Sequence, residues 1–296
     1  MKSHEKRIRA VLLGGLLTAL GGHAPAVLAQ TPLDAENFSG TVTMTTDYVF
    51  RGISFSSQNP AIQGSADWAY GNWFAGIWGT SIESFGSSSR PGCTPSLVNP
   101  AGMPVDPQPN RLGCDTDEGL GLTSEFDFYF GFASSAAGFD WYIQPIYYLY
   151  PNSNENAFGG NPDMFEVWLN ASRSIAEVPG APTVDILYGY TPDYFFESGS
   201  GHYIRGGVAF DLGGGIGVDF GWGYQTVEGE NDVLWPGVND PNYSHWDVGI
   251  TGAIVGFDLD LRYHDTNQDD PDDFVPGFTA ESNTESRVVF TISRSF

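Results

Sequence analysis

Apolar side chains recur at every second position along most of this chain, in runs of about ten residues broken by turns. That period belongs to strands with one apolar and one polar face. In the clearest run, Leu120, Leu122, Phe126, Phe128, Phe130 and Phe132 alternate with Thr123, Glu125, Asp127 and Tyr129. Twelve strands are predicted, over about residues 38–50, 62–70, 73–82, 120–132, 139–149, 165–170, 184–190, 203–212, 216–225, 245–254, 257–264 and 286–296. In the first, Phe38, Gly40, Val42, Met44, Tyr48 and Phe50 form the apolar face, and Arg51-Gly52 opens a polar loop to Asn59. Pro145 lacks an amide donor, so a bulge is expected in the fifth strand. Gly213 to Gly215 lead into alternating Ile216-Val218-Phe220; this reads as a hairpin turn, since a phosphate-binding loop would be followed by a helix.

The connections sort by length. Those near 71–72, 134–138, 176–181, 213–215 and 255–256 are short, and those at 51–59, 83–119, 151–162, 191–201, 229–242 and 265–281 are long, in strict alternation. An even number of antiparallel strands with short turns at one end and long loops at the other predicts an all-β transmembrane barrel, with periplasmic turns and extracellular loops. A secreted β-sandwich has no reason to segregate its loops in this way. No stretch reaches the roughly 18 consecutive apolar residues of a membrane helix. The final run, Ser286 to Phe296, sets Val288, Phe290, Ile292 and Phe296 against Arg287, Thr291, Ser293 and Ser295, with Arg294 breaking the apolar face. Phe290, Ile292 and the terminal Phe296 resemble the signal by which outer-membrane barrels engage the barrel assembly machinery.

Residues 1–29 stand apart. Lys2, Lys6, Arg7 and Arg9 precede an apolar core at Ile8–Leu20 and the small-residue pattern Val27-Leu28-Ala29, which predicts a secretory signal peptide and a single barrel domain over 30–296. Aromatics at 15% and 38 glycines fit a barrel, whereas mean hydropathy, near zero at −0.19, is blind to alternation. The formal charge is −24, and −27 without residues 1–29, which argues against nucleic acid as a partner because phosphate binding needs a cationic face. Cys93 and Cys114 lie in the long 83–119 loop, and in an exported chain the pair reads as a disulfide. A metal site there is weaker, since neither Cys-x-x-Cys nor a nearby His accompanies them.

The run Thr46-Asp47-Tyr48-Val49-Phe50-Arg51-Gly52-Ile53-Ser54, followed by Asn59-Pro60-Ala61, resembles the opening motif of the TorF-family porins, also called the Gcw_chp family. Gly76-Ile77-Trp78-Gly79-Thr80, Glu125-Phe126-Asp127, Tyr147-Tyr148-Leu149-Tyr150-Pro151 and Glu166-Val167-Trp168-Leu169 extend the likeness over most of the mature chain. The resemblance implies an outer-membrane barrel of a Gram-negative bacterium with a pore role, and no particular substrate.

Projected inward, the strands place Asp47, Asp67, Glu125, Asp127, Asp140, Glu166, Asp185, Asp211, Asp219, Asp247, Asp258 and Asp260 in the lumen against Arg51, Arg205, Arg262 and Arg287. An acid-rich lumen predicts passive passage of small solutes with a preference for cations. The competing reading is a closed barrel, its charges paired and its role structural or adhesive through the loops. Asp47 and Arg51, four apart, suit either a solute-contacting pair or an ion pair bracing the loop. Asp265, Asn267 and Asp269 open an oxygen-rich run with the ligand chemistry of Ca²⁺, but it lacks the glycine and terminal glutamate of an EF-hand and reads more readily as a solvated acidic loop. His245 and His264 point inward without a recognisable serine nucleophile, so no catalytic residues are assigned and no other cofactor is expected. The expected surroundings are outer-membrane lipid and lipopolysaccharide.

Overall fold

The computed structural model describes residues 31–82, 123–151, 153, 161–178, 180–228, 242–267 and 283–296. Twelve strands close into an antiparallel barrel: β1 (Phe38–Thr45), β4 (Ala61–Tyr70), β5 (Trp73–Ser81), β6 (Ser124–Ala136), β7 (Phe139–Leu149), β8 (Met164–Ser174), β9 (Thr183–Thr191), β10 (Gly201–Gly213), β11 (Ile216–Val227), β12 (Tyr243–Ile254), β13 (Phe257–Thr266) and β14 (Arg287–Ser295). Between β1 and β4 lie two short strands outside the barrel wall, β2 (Val49–Phe50) and β3 (Ile53–Ser54). β1 closes the ring by pairing with both β4 and β14, with Thr41 opposite Ser65 on one side and Ser295 on the other. Phe296 extends that seam through backbone hydrogen bonds with Gly40. Closure leaves no open edge, the condition for a β-structure in hydrocarbon.

Outward positions carry the apolar set the alternation predicts. Val42, Met44, Ile62, Phe128, Phe130, Ile250, Val288 and Phe290 are all exposed on the outside. In a monomer dissolved in water such a continuous belt would be an aggregation surface, whereas in a bilayer it is the solvent-matched face. Aromatics gather at both rims. Trp73 packs edge-on against Phe132 near the short turns, and Trp222 stacks on Tyr224 near the long loops. Arg294, which breaks the apolar face of β14, lies over the rings of Phe257 and Phe296 at 5.2 and 5.5 Å, in the rim position where a long cationic side chain reaches water.

Two expectations are corrected here. Pro145 produces no bulge: the β6–β7 register is the same on both sides of it (Tyr129 opposite Ile146, Phe132 opposite Ile143). The strand simply omits the ladder bonds that proline cannot donate. The larger correction concerns the first strand, which stops at Thr45 instead of running to Phe50. The segment from Asp47 to Ser56 turns inward and is buried throughout, so Tyr48 and Phe50 face the lumen and not lipid. The predicted segments 1–29 and 83–119, with Cys93 and Cys114, lie outside the described residues, as do Leu120 and Leu122 of the fourth strand.

Candidate functional site

The inward segment is a β-hairpin. Phe50 pairs with Ile53, and the two residues between them, Arg51 and Gly52, have φ of 50° and 85°. Two positive φ angles are the signature of the tight turn whose twist matches that of paired strands, and glycine at the second position removes the steric penalty there. A Cβ on Gly52 would stand 2.6 Å from both His245 Cβ and Thr266 Cγ2, so the turn is pressed against the wall formed by β12 and β13. Asp47 fixes the base: it accepts from Ser54 Oγ at 2.6 Å and from Arg287 of β14 at 3.0 Å.

From this base next to β1 and β14, the hairpin crosses the lumen. Arg51 NH2 donates to Glu166 of β8 at 2.6 Å, and its NH1 donates to Gln225 of β11. Its guanidinium lies 4.0 Å from the ring centre of Tyr203 on β10. In the ring of twelve strands these partners sit on the side opposite β1 and β4. Behind the tip, Tyr48, Phe50 and Phe55 pack on Trp78, Tyr148 and Phe195, the last from the loop after β9, which also folds inward and buries Phe196. Aromatic contacts of this kind and the buried ion pair together fill the outer half of the lumen.

A second charged group lies on the β10–β13 wall. Arg205 pairs with Asp247 at 2.9 Å, and Arg262 is shared among Asp219, Asp247 and Asp260. Both arginines lie flat because the wall beneath them is glycine: a Cβ on Gly221 would collide with the Arg205 guanidinium, and one on Gly249 would meet that of Arg262.

The predicted inward residues therefore separate into distinct groups. Asp47, Arg51, Glu125, Asp127, Glu166 and Arg287 surround the hairpin, while Arg205, Asp219, Asp247, Asp260 and Arg262 form the ladder on the wall. Asp47 and Arg51 do not form an ion pair with each other; each bonds to the wall instead. Asp67 accepts from Tyr129, and Asp185 stands beside Gly207. Asp140, Asp211 and Asp258 sit exposed at the inner rim, and the Asp211 carboxylate accepts from Gly213 N in the turn. His245 is hydrogen-bonded to Tyr203 at 2.9 Å and stacked on its ring, and His264 is buried on the neighbouring strand. Of the candidate cation ligands, Asn267 accepts from Ser244 N at 2.7 Å, Asp265 accepts from Thr266 N, and Asp269 lies outside the described residues. Among the described residues no cluster of three or more His, Cys, Asp or Glu has metal-binding geometry.

A family model described as "Bacterial protein of unknown function (Gcw_chp)" matches residues 29–296. The chain belongs to the Gcw_chp family. It matches none of the curated proteins compared with it. Among solved structures it is similar to the KdgM porin in complex with disordered oligogalacturonate, at 5% identity and a TM-score of 0.44, covering 88% of this chain and 98% of that one. It is also similar to the COG4313 outer-membrane channel from Pseudomonas putida F1 (9% identity, TM-score 0.44, 88% and 95% covered) and to the outer-membrane channel DcaP of Acinetobacter baumannii (10%, 0.39, 88% and 95%).

Three residues central to this Gcw_chp barrel were legible only as inward positions: Tyr203, Gln225 and Tyr148, each of which contacts the hairpin tip or its partner Glu166. The hairpin itself left a signal in the sequence. Val49-Phe50 and Ile53-Ser54-Phe55 are strand-forming residues on both sides of an X-Gly pair, inside a stretch otherwise short enough to be a polar loop.

Proposed function

We propose that this protein is a porin-like channel of the Gram-negative outer membrane that passes small solutes, with the inward hairpin as its constriction. The carrying observation is the charged inner wall. Arg205, Asp219, Asp247 and Arg262 are buried on the inner wall, apart from the aromatic side chains that pack around the hairpin. Buried ion pairs are commonly no more stable than apolar filling, so a barrel with a purely structural role gains little from them. Charged groups inside a membrane-spanning structure are expected along a solute path. Cations are the preferred solutes, because nine of the twelve predicted inward carboxyl groups lie inside the lumen and outnumber its four guanidiniums.

The filled outer half of the lumen favours a second reading, a closed barrel that acts through its extracellular loops. Planar-bilayer recording of the refolded protein under a KCl gradient separates the two. Discrete steps with a reversal potential displaced toward that of K⁺ support the channel. Absence of current from folded protein, both intact and with residues 48–55 replaced by a short Gly-Ser link, supports the closed barrel.

A further inference from the structure

Arg51 is held as a guanidinium ligand would be held. A carboxylate and an amide oxygen accept from its two terminal nitrogens, and the Tyr203 ring covers its face at 4.0 Å. Carboxylate, amide and aromatic face together satisfy the forked donors, the charge and the flat surface of such a group. Glu166, Gln225 and Tyr203 belong to β8, β11 and β10, so the barrel wall supplies the site and the hairpin delivers the cation.

The same chamber holds more acceptors than Arg51 uses. Glu166 Oε1 is buried without a hydrogen-bond partner, and the buried carboxyl groups of Glu125 and Asp127 lie against each other in the same chamber, with Asp127 0% exposed. Tyrosines link these groups: Tyr148 donates to Glu166 at 3.1 Å and Tyr48 to Glu125 at 3.3 Å, while Trp78 stands opposite Asp127 in the β5–β6 register. Three carboxyl groups and one guanidinium share this chamber, within walls of Tyr48, Trp78, Tyr148 and Trp168, and Glu166 is the one that bonds to the guanidinium. Aromatic walls around a carboxylate are the chemistry that recognises organic cations.

We infer that this chamber binds solutes bearing a guanidinium group, that Arg51 occupies it as an internal stand-in, and that such a solute displaces the hairpin as it enters. The passage, though not the binding, rests on the channel reading above. The Arg51 φ of 50° leaves a non-glycine residue in the left-handed region, so release of the tip also relieves backbone strain. A solute competing with Arg51 binds with an affinity reduced by the fraction of molecules in which the tip is displaced.

Methylguanidinium and methylurea share shape and differ in charge, and the test compares them by calorimetric titration of the detergent-folded protein and by bilayer current. The proteins are wild type, Arg51→Ala, and Arg51→Ala combined with Glu166→Gln, each checked for heat-modifiable gel mobility. Methylguanidinium should bind Arg51→Ala about tenfold or more tightly than wild type, and Glu166→Gln in that background should abolish the binding. It should lengthen wild-type openings, while methylurea neither binds nor opens. Equal affinity in wild type and Arg51→Ala, survival of binding in the double variant, or an equal response to methylurea overturns the inference. Binding to Arg51→Ala without any effect on wild-type current overturns it too, since the probe then only fills a truncation cavity. Should Arg51→Ala not fold, the two probes on wild-type current decide alone. If no protein conducts, even with the hairpin removed, the channel reading fails, and the titrations by themselves retain or reject the site.

Discussion

The lumen contains two arginine–carboxylate groups of similar burial and opposite mechanical consequence. On the β10–β13 wall, Arg205 and Arg262 are bonded to Asp247, Asp219 and Asp260, each on the same strand, a hydrogen-bonded neighbour or a next neighbour in the ring. Across the outer half, Arg51 joins a connecting segment to Glu166 on the far side of the barrel. Breaking a wall pair leaves the strands where their ladders hold them. Breaking the Arg51 pair loosens the tip of a segment whose backbone joins the wall only at its base. The ion-pair chemistry is shared, and what differs is whether the backbone behind each partner is independently fixed. The wall ladder can shape the field along the path, whereas the hairpin contact can open and close it.

That contrast is open to direct attack, and the largest effect is expected from removing the moving part. Replacing residues 48–55 with a short Gly-Ser link should give large, long-lived steps in bilayer recordings and leave heat-modifiable mobility intact, since none of these residues is in the barrel wall. Arg51→Ala should raise the open fraction by a smaller amount, because the aromatic packing of Tyr48 and Phe55 and the Asp47–Arg287 pair still hold the base. Gly52→Ala should open the channel less again: its methyl would have to displace His245 and Thr266, and the tip would sit away from the wall while Arg51 kept its charge. At the other end, Asp247→Asn should leave the open fraction unchanged and lower the unfolding transition in urea, by about 3–5 kcal/mol if both guanidiniums lose their shared partner. A rise in open fraction with Asp247→Asn would show that the two groups are coupled after all.

Much of this fold was legible in the sequence because a barrel wall expresses a single rule. Each residue meets either lipid or lumen, so Phe126, Phe128 and Phe130 against Glu125, Asp127 and Tyr129 gave both the strand and its orientation. The twelve-fold count followed from the period-two runs, and the barrel from the alternation of short and long connections between them. The hairpin broke that rule. Tyr48 and Phe50 continue the alternation of β1 in sequence, and the Arg51-Gly52 pair marks a hairpin without marking that the chain turns inward after Thr45. That turn is decided by partners distant in sequence: Arg287 for Asp47, and Glu166 and Gln225 for Arg51. The separation of the charged residues into a fixed ladder and a clamped tip was hidden for the same reason, since inward parity assigns a face and not a partner. Pro145 misled in the opposite direction, because a proline at a position where the ladder bond can be omitted needs no bulge.

The most direct test of the account is single-channel recording of wild type beside Arg51→Ala at equal protein insertion. A hairpin clamped by Arg51 predicts mostly closed wild-type channels with brief openings, and an open fraction several times higher in the variant at the same unitary conductance. Identical open fractions in the two proteins would contradict the clamp.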